Sequence, residues 1–190
     1  MQELLPASAQ SWVLGVPLDD KVAILAAFSG AARAVGKAPI GVPDRGTWGT
    51  DELARAMLLL RAQPRVTPEE LWARGDNRER QAVLKALPLL RDPERYLPLA
   101  IESCRSNVLT VFEAIACETP YPARYFPDLN FNQLVLKAAF SGVALARITN
   151  LGSRLNAELA RMAGDFAAER RAAGRPVPDD LALVMKAAPP

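Results

Sequence analysis

The segment Val83-Leu84-Lys85-Ala86-Leu87 decides the fold, because its pattern returns as Val111-Phe112-Glu113-Ala114-Ile115 and as Val135-Leu136-Lys137-Ala138-Ala139. Each copy reads apolar, apolar, charged, alanine, then apolar or alanine, and each lies in a stretch with helical hydrophobic spacing. The copies start 28 and 24 residues apart, the length of two short helices and their turns. Self-similarity on this scale marks helical units that cannot bury their own apolar faces and must stack to do so. The expected class is therefore all-α: a HEAT-like, α-solenoid-like stack of short antiparallel helices in a single domain over residues 1–190. Residues 1–47 supply N-terminal helices and a loop, 76–150 the repeat-like core, and 175–190 a tail. Such chains are mostly binding surfaces rather than catalytic pockets.

Composition supports the class. Half of the 190 residues are hydrophobic but only 6% are aromatic, so alanine, leucine and valine do most of the packing, and the first two are strong helix formers. Alternation of the kind a half-buried strand needs never persists. The net charge is +2, with lysines and arginines dispersed among acids. A nucleic-acid partner, which would demand a basic stripe, is not expected. No transmembrane segment is expected either: the best candidate run, Val22–Phe28, soon meets Ser29, Gly30 and Arg33, far short of a membrane span. Glu3 and Asp19-Asp20 do not suit a secretory signal, and the expected location is cytoplasmic. Cys104 and Cys117 are too few for a disulfide framework or a cysteine zinc site, and both read as small buried hydrophobes. Histidine is absent. That removes the commonest general base and metal ligand, and with them a hydrolase triad, a zincin helix and a facial iron triad. No catalytic residue, metal ligand or cofactor is assigned.

Punctuation along the chain sets the helices. Asp19 or Asp20 can cap a helix to about Val35, with Val22, Leu25, Ala26 and Ser29 at helical spacing. Residues 36–49, with four glycines and two prolines, read as a loop. Thr50 or Asp51 restarts a helix, and Thr67-Pro68-Glu69-Glu70 is a third start, with threonine as cap and proline in the first turn. Asp76 with Glu79 resembles a capping box. Asp92, Asn107 and Asp128 open further helices. Between the last two, residues 119–127 hold three prolines and three aromatics where the stack needs a second helix. An irregular insert on a rigid frame is where function is expected.

Six residues stand out as ligand- or partner-binding candidates: Glu113, Tyr121, Arg124, Tyr125, Asn132 and Lys137. Glu113 lies on a narrow polar stripe with Ser106, Thr110 and Cys117, on a helix otherwise lined by Val108, Leu109, Val111, Phe112 and Ile115. A carboxylate so placed needs a partner or a proton, and an ion pair with Lys137, its equivalent in the third copy, stands beside a functional reading. Asn132 faces apolar neighbours and must be hydrogen-bonded, either to carbonyls of the proline-rich segment or to a ligand. Tyr121, Arg124, Tyr125 and Phe126 either stack on a ligand or partner or fold inward to close a helical layer. Arg78 and Arg80 beside Glu79 read as a solvated helix start with local ion pairs. No glycine-rich phosphate loop is present.

The strings running from Gly75 through Leu90, from Asn107 through Ala116, Pro120-Tyr121-Pro122-Ala123-Arg124 and Asn130-Phe131-Asn132-Gln133 together resemble the EboA-domain family over roughly Trp48 to Pro178. That resemblance implies a bacterial protein of an ebo gene cluster, which makes or exports a small secondary metabolite. Cluster neighbours resemble a UbiA-type prenyltransferase, a TatD-type hydrolase, a dehydroquinate-synthase-like enzyme and a sugar-isomerase-like protein. It implies as partners a small metabolite or other ebo-cluster pathway proteins, with peripheral contact to the membrane prenyltransferase, and it assigns no reaction. Two functions follow: a non-catalytic adaptor or small-molecule carrier, or an enzyme or enzyme subunit using Glu113 as acid or base on a small polar or prenylated metabolite.

Overall fold

Helix starts and stops written in the sequence place most of the elements. The computed structural model describes residues 2–186. In it α1 (Ala7–Gly15) stops ahead of Pro17 and α2 (Lys21–Val35) is capped by Asp20, whose carboxylate accepts from the amides of Val22 and Ala23 at 2.8 and 3.2 Å. The buried face of α2 is Ile24, Phe28 and Ala31, not the stripe through Val22, which is 74% exposed. Both stripes have helical spacing, and the one carrying the larger apolar area is buried. The expected loop at 36–49 contains a two-stranded antiparallel ladder, β1 (Pro39–Gly41) with β2 (Thr47–Gly49), in register Ile40 opposite Trp48. Among the described residues these are the only strands, so the protein is all-α apart from this hairpin.

Chain contacts gather residues up to Ile115 into one compact unit and those from Ala116 onward into a second. The first is built around α3 (Thr50–Ala62), in which every residue from Thr50 to Leu59 is buried. It packs against α1, α2 and β2, and against α5 (Asn77–Ala86). Between α3 and α5 lies α4 (Pro68–Arg74), started by Thr67 with Pro68 in the first turn, as expected. Asp76 caps α5 by accepting from the Glu79 amide at 2.8 Å, while Glu79 accepts from the Asp76 amide at 3.0 Å, a reciprocal box. The chief neighbour of α5 is thus α3, a helix outside the repeat, although Gln81 of α5 donates to the Thr110 hydroxyl at 3.1 Å. Asp92 caps nothing. It sits in the left-handed region at φ +49° and leads into a 3-10 turn, Pro93–Tyr96, that runs on as α6 (Leu97–Ser103). The unit closes with α7 (Leu109–Ala116), where Val111, Phe112, Ala114 and Ile115 are buried but Val108 and Leu109 are exposed.

The second unit begins with the proline-aromatic segment, which forms a five-residue helix, α8 (Tyr121–Tyr125). Next comes α9 (Asp128–Phe140), with Pro127 at its cap position and Asp128 in its first turn. Gly142, at φ +72°, ends it by turning the backbone so that the Val143 amide reaches the Ala138 carbonyl at 2.9 Å. Two 3-10 turns, Leu145–Arg147 and Leu151–Arg154, connect to α10 (Ala157–Ala172). The core here is Phe131, Leu134, Val135 and Ala138 of α9 with Leu159, Ala163, Phe166 and Ala167 of α10. The tail docks on α10 through α11 (Ala182–Met185), burying Leu181 and Val184, and Asp180 accepts from the Leu145 amide at 2.7 Å. The last four residues of the expected tail lie outside the described residues.

Candidate functional site

The sequence-selected residues divide between the two units. Glu113, on α7, is half-buried, and Cys117 of the same stripe is buried while Thr110 is exposed. Lys137, on α9, is half-buried and Arg124 is exposed. Tyr121 is fully buried, its ring 4.8 Å from that of Tyr125 and edge-on to Phe126 at 6.3 Å, so this cluster turns inward and closes the start of the second unit. Asn132 is 1% exposed and exchanges hydrogen bonds with Asn156 at 3.0 and 3.1 Å. Asn156 also caps α10, accepting from the Leu159 amide at 2.8 Å. The two amides therefore clip α9 to the start of α10. The carbonyls of the proline-rich segment are served instead by Arg154, which donates to those of Ala123 at 2.6 Å and Phe126 at 2.8 Å and lies 4.7 Å over the Phe131 ring. Cys104 is half-buried and Cys117 buried, and the two do not form a disulfide.

Sequence reasoning missed a buried charge network on α3. Asp51 and Arg55, one helical turn apart, are 0% and 2% exposed and pair with each other. Arg55 also donates to the Phe28 carbonyl at 2.9 Å. Far from being a locally paired, solvated residue, Arg78 reaches across to Asp51 with a bidentate fork, both bonds at 2.6 Å. Beside it, Lys85 donates at 2.8 Å to Glu52, which accepts from the Gly49 amide at 2.6 Å. Burial pushes the Asp51 carboxyl up, and the hydrogen bonds from Arg78 and Arg55 outweigh it, holding the group below the usual carboxylate range. Gly49 is needed for this packing: a β-carbon there would stand 2.7 Å from the Asp51 carboxylate and overlap Arg78. Arg78 and Lys85 of α5 both end on acids of α3, so the chemistry of the network is that of a clamp between the two helices. The signal in the sequence was an acid, acid, arginine set inside an otherwise apolar helix.

An open cleft lies where α3 ends. Its walls are Gln63, Pro64, Val66, Thr67, Arg91, Asp92, Arg95 and Tyr96, enclosing about 220 Å³. Tyr96 is 5% exposed and its hydroxyl accepts from the Gln63 side-chain amide at 2.8 Å, tying the 3-10 turn to the end of α3. Burial, and then the charge of Glu69, push the Tyr96 phenol up, so it stays protonated through neutral pH and keeps a hydrogen to donate. Gln63 and Pro64 also line an adjoining cleft of about 310 Å³ with Leu18, Ala62, Arg61 and Arg65. Among the described residues no group of histidine, cysteine and carboxylate side chains could hold a metal ion, and no helix is long and apolar enough to cross a membrane.

Compared with known proteins, residues 43–186 match the model of a family described as metabolite traffic protein EboA. That span contains α3, the acids and bases of the charge network, and every lining residue of the cleft at Gln63 and Tyr96. No curated protein and no solved structure matches the chain.

Proposed function

The chain belongs to the EboA family, and we propose that it works as a non-catalytic small-molecule carrier within a metabolite biosynthesis and export pathway. The observation that carries the reading is the open cleft at Gln63 and Tyr96, which lies inside the family match and is lined by polar groups converging from two segments of the chain, 63–67 and 91–96. Open concave sites with a few fixed polar groups and apolar walls suit reversible loading. The partners are a small metabolite and the pathway proteins that deliver and receive it, including transient contact with a membrane-bound enzyme, from the cytoplasmic side.

Native mass spectrometry on the full chain purified from its own cells tests this. The expected result is a retained small molecule whose mass is unchanged after prolonged incubation. Conversion of that molecule overturns the carrier reading in favour of an enzyme. Glu113 supplies a second arm, since an enzyme reading rests on it as acid or base. For a carrier, Glu113→Gln lowers pathway output only in proportion to folded protein; lost output at unchanged folded amount would make Glu113 functional.

A further inference from the structure

The cleft walls carry two cations that the fold does not use. Arg91 and Arg95 both line it, both are exposed, and among the described residues neither guanidinium makes an ion pair or side-chain hydrogen bond. Four other arginines of the same unit are committed: Arg55 and Arg78 to Asp51, Arg61 to the carbonyls of Val13 and Leu14, Arg65 to that of Leu18. Asp92 is the one acid among the lining residues, so the wall is net positive. Arg95 and Tyr96 are consecutive in the chain and both line the cleft, which puts a guanidinium and a protonated hydroxyl on the same small space. Asp92, between them in the chain, is held at positive φ, and its carbonyl accepts from the Arg95 amide at 3.0 Å.

We propose that this cleft holds the anionic head group of a small metabolite, a carboxylate or a phosphate, with Arg91 and Arg95 as its clamp and the Tyr96 hydroxyl as a neutral donor. The inference rests on the carrier reading and names the class of its cargo. Arginine forks match the planar geometry of carboxylate and phosphate oxygens, and a buried phenol adds a directional donor that costs no charge desolvation. The volume, about 220 Å³, falls below the range of roughly 300–1,000 Å³ that encloses a drug-sized ligand. It therefore takes one end of the molecule. The rest extends past Gln63 and Pro64 into the adjoining cleft, where Arg61 and Arg65 contribute a positive field while their hydrogens bind backbone carbonyls.

Calorimetric titration of the full chain at low salt, with phenyl phosphate in one arm and benzoate in the other, tests the assignment. Saturable binding of at least one probe is expected, and the arm that binds more tightly identifies the head group. Arg95→Gln weakens binding about tenfold, as for the loss of a charge-assisted hydrogen bond, the Arg91→Gln/Arg95→Gln double variant weakens it further, and Tyr96→Phe weakens it severalfold. Arg161→Gln, which removes the same charge from the second unit, leaves it within about twofold. Because Arg91 and Arg95 are exposed, thermal melts of their variants coincide with the parent's. Binding of neither probe, or equal binding by the folded double variant, overturns the proposal. A neutral or cationic molecule retained in native mass spectrometry removes the anionic class and leaves the carrier standing. Arginine-dependent probe binding by a protein that converts its metabolite does the reverse.

Discussion

Helices α3 and α9 have the same length, 13 residues, and each is the buried helix of its unit, yet they solve the polar problem in opposite ways. On α9 the interior is hydrocarbon except for Asn132, whose neutral amide meets another neutral amide on Asn156. On α3 two acids and an arginine go fully inside, and partners 27 and 33 residues further along the chain come to meet them. A neutral pair is cheaper to desolvate than an ion pair and loses less when one member goes. A buried ion cluster is held only by its completeness, since taking one partner away strands a charge where water cannot reach it. Charge on a helix is therefore no evidence that it faces solvent.

Removing the centre of the α3 cluster is the severest way to break this comparison. Asp51→Asn strands Arg55 and costs about 3–5 kcal/mol, read as a lowered midpoint in denaturant unfolding. The pH dependence follows from the same group. Its folded pKa is depressed, so its contribution is present above the unfolded value of about 3.9 and is lost as pH falls through the folded value. The parent should lose stability below about pH 4 more steeply than Asp51→Asn does, and parallel acid curves would count against the clamp.

Next comes Arg154→Met in the second unit, which leaves the Ala123 and Phe126 carbonyls without that donor and should cost about 2–3 kcal/mol. A smaller loss would mean that water serves the end of α8 as well as arginine does. Asn132→Leu is expected to cost about 1–2 kcal/mol, less than the α3 change because Asn156 still caps α10. If the two substitutions cost the same, the contrast between the helices fails. The smallest effect is reserved for Glu118→Gln, whose partner Arg147 is 2.8 Å away but whose side chain is 36% exposed. A thermal melt should show at most about 1 kcal/mol.

Legibility followed locality. The capping box at Asp76 and Glu79, the threonine cap at Thr67 and the aspartate cap at Asp20 depend on atoms three residues apart, and each was readable in order. The hairpin at 39–49 was not, because a three-residue ladder offers no alternation to detect and is closed by Thr50 bonding back to the Ala38 carbonyl. Nor was the face of α2, where two apolar stripes compete and only the neighbour chooses. The inward fold of Tyr121 was one of two readings kept open. Arg91 and Arg95 carry no local signal, since nothing in one dimension shows which arginines meet no carboxylate among the described residues.

By itself, then, the chain determined its helical class, most helix starts, the restriction on catalysis that follows from having no histidine, and its family. Those are properties of composition and of contacts within one or two turns. Tertiary structure alone decided that α3 is the centre of the first unit, that Arg78 crosses 27 residues to Asp51, that Arg154 rather than Asn132 serves the proline-rich carbonyls, and that Gln63 and Tyr96 frame a cleft. Each depends on bringing together residues distant in sequence, and the free energy of such a meeting comes from burial and partner geometry that no local pattern encodes.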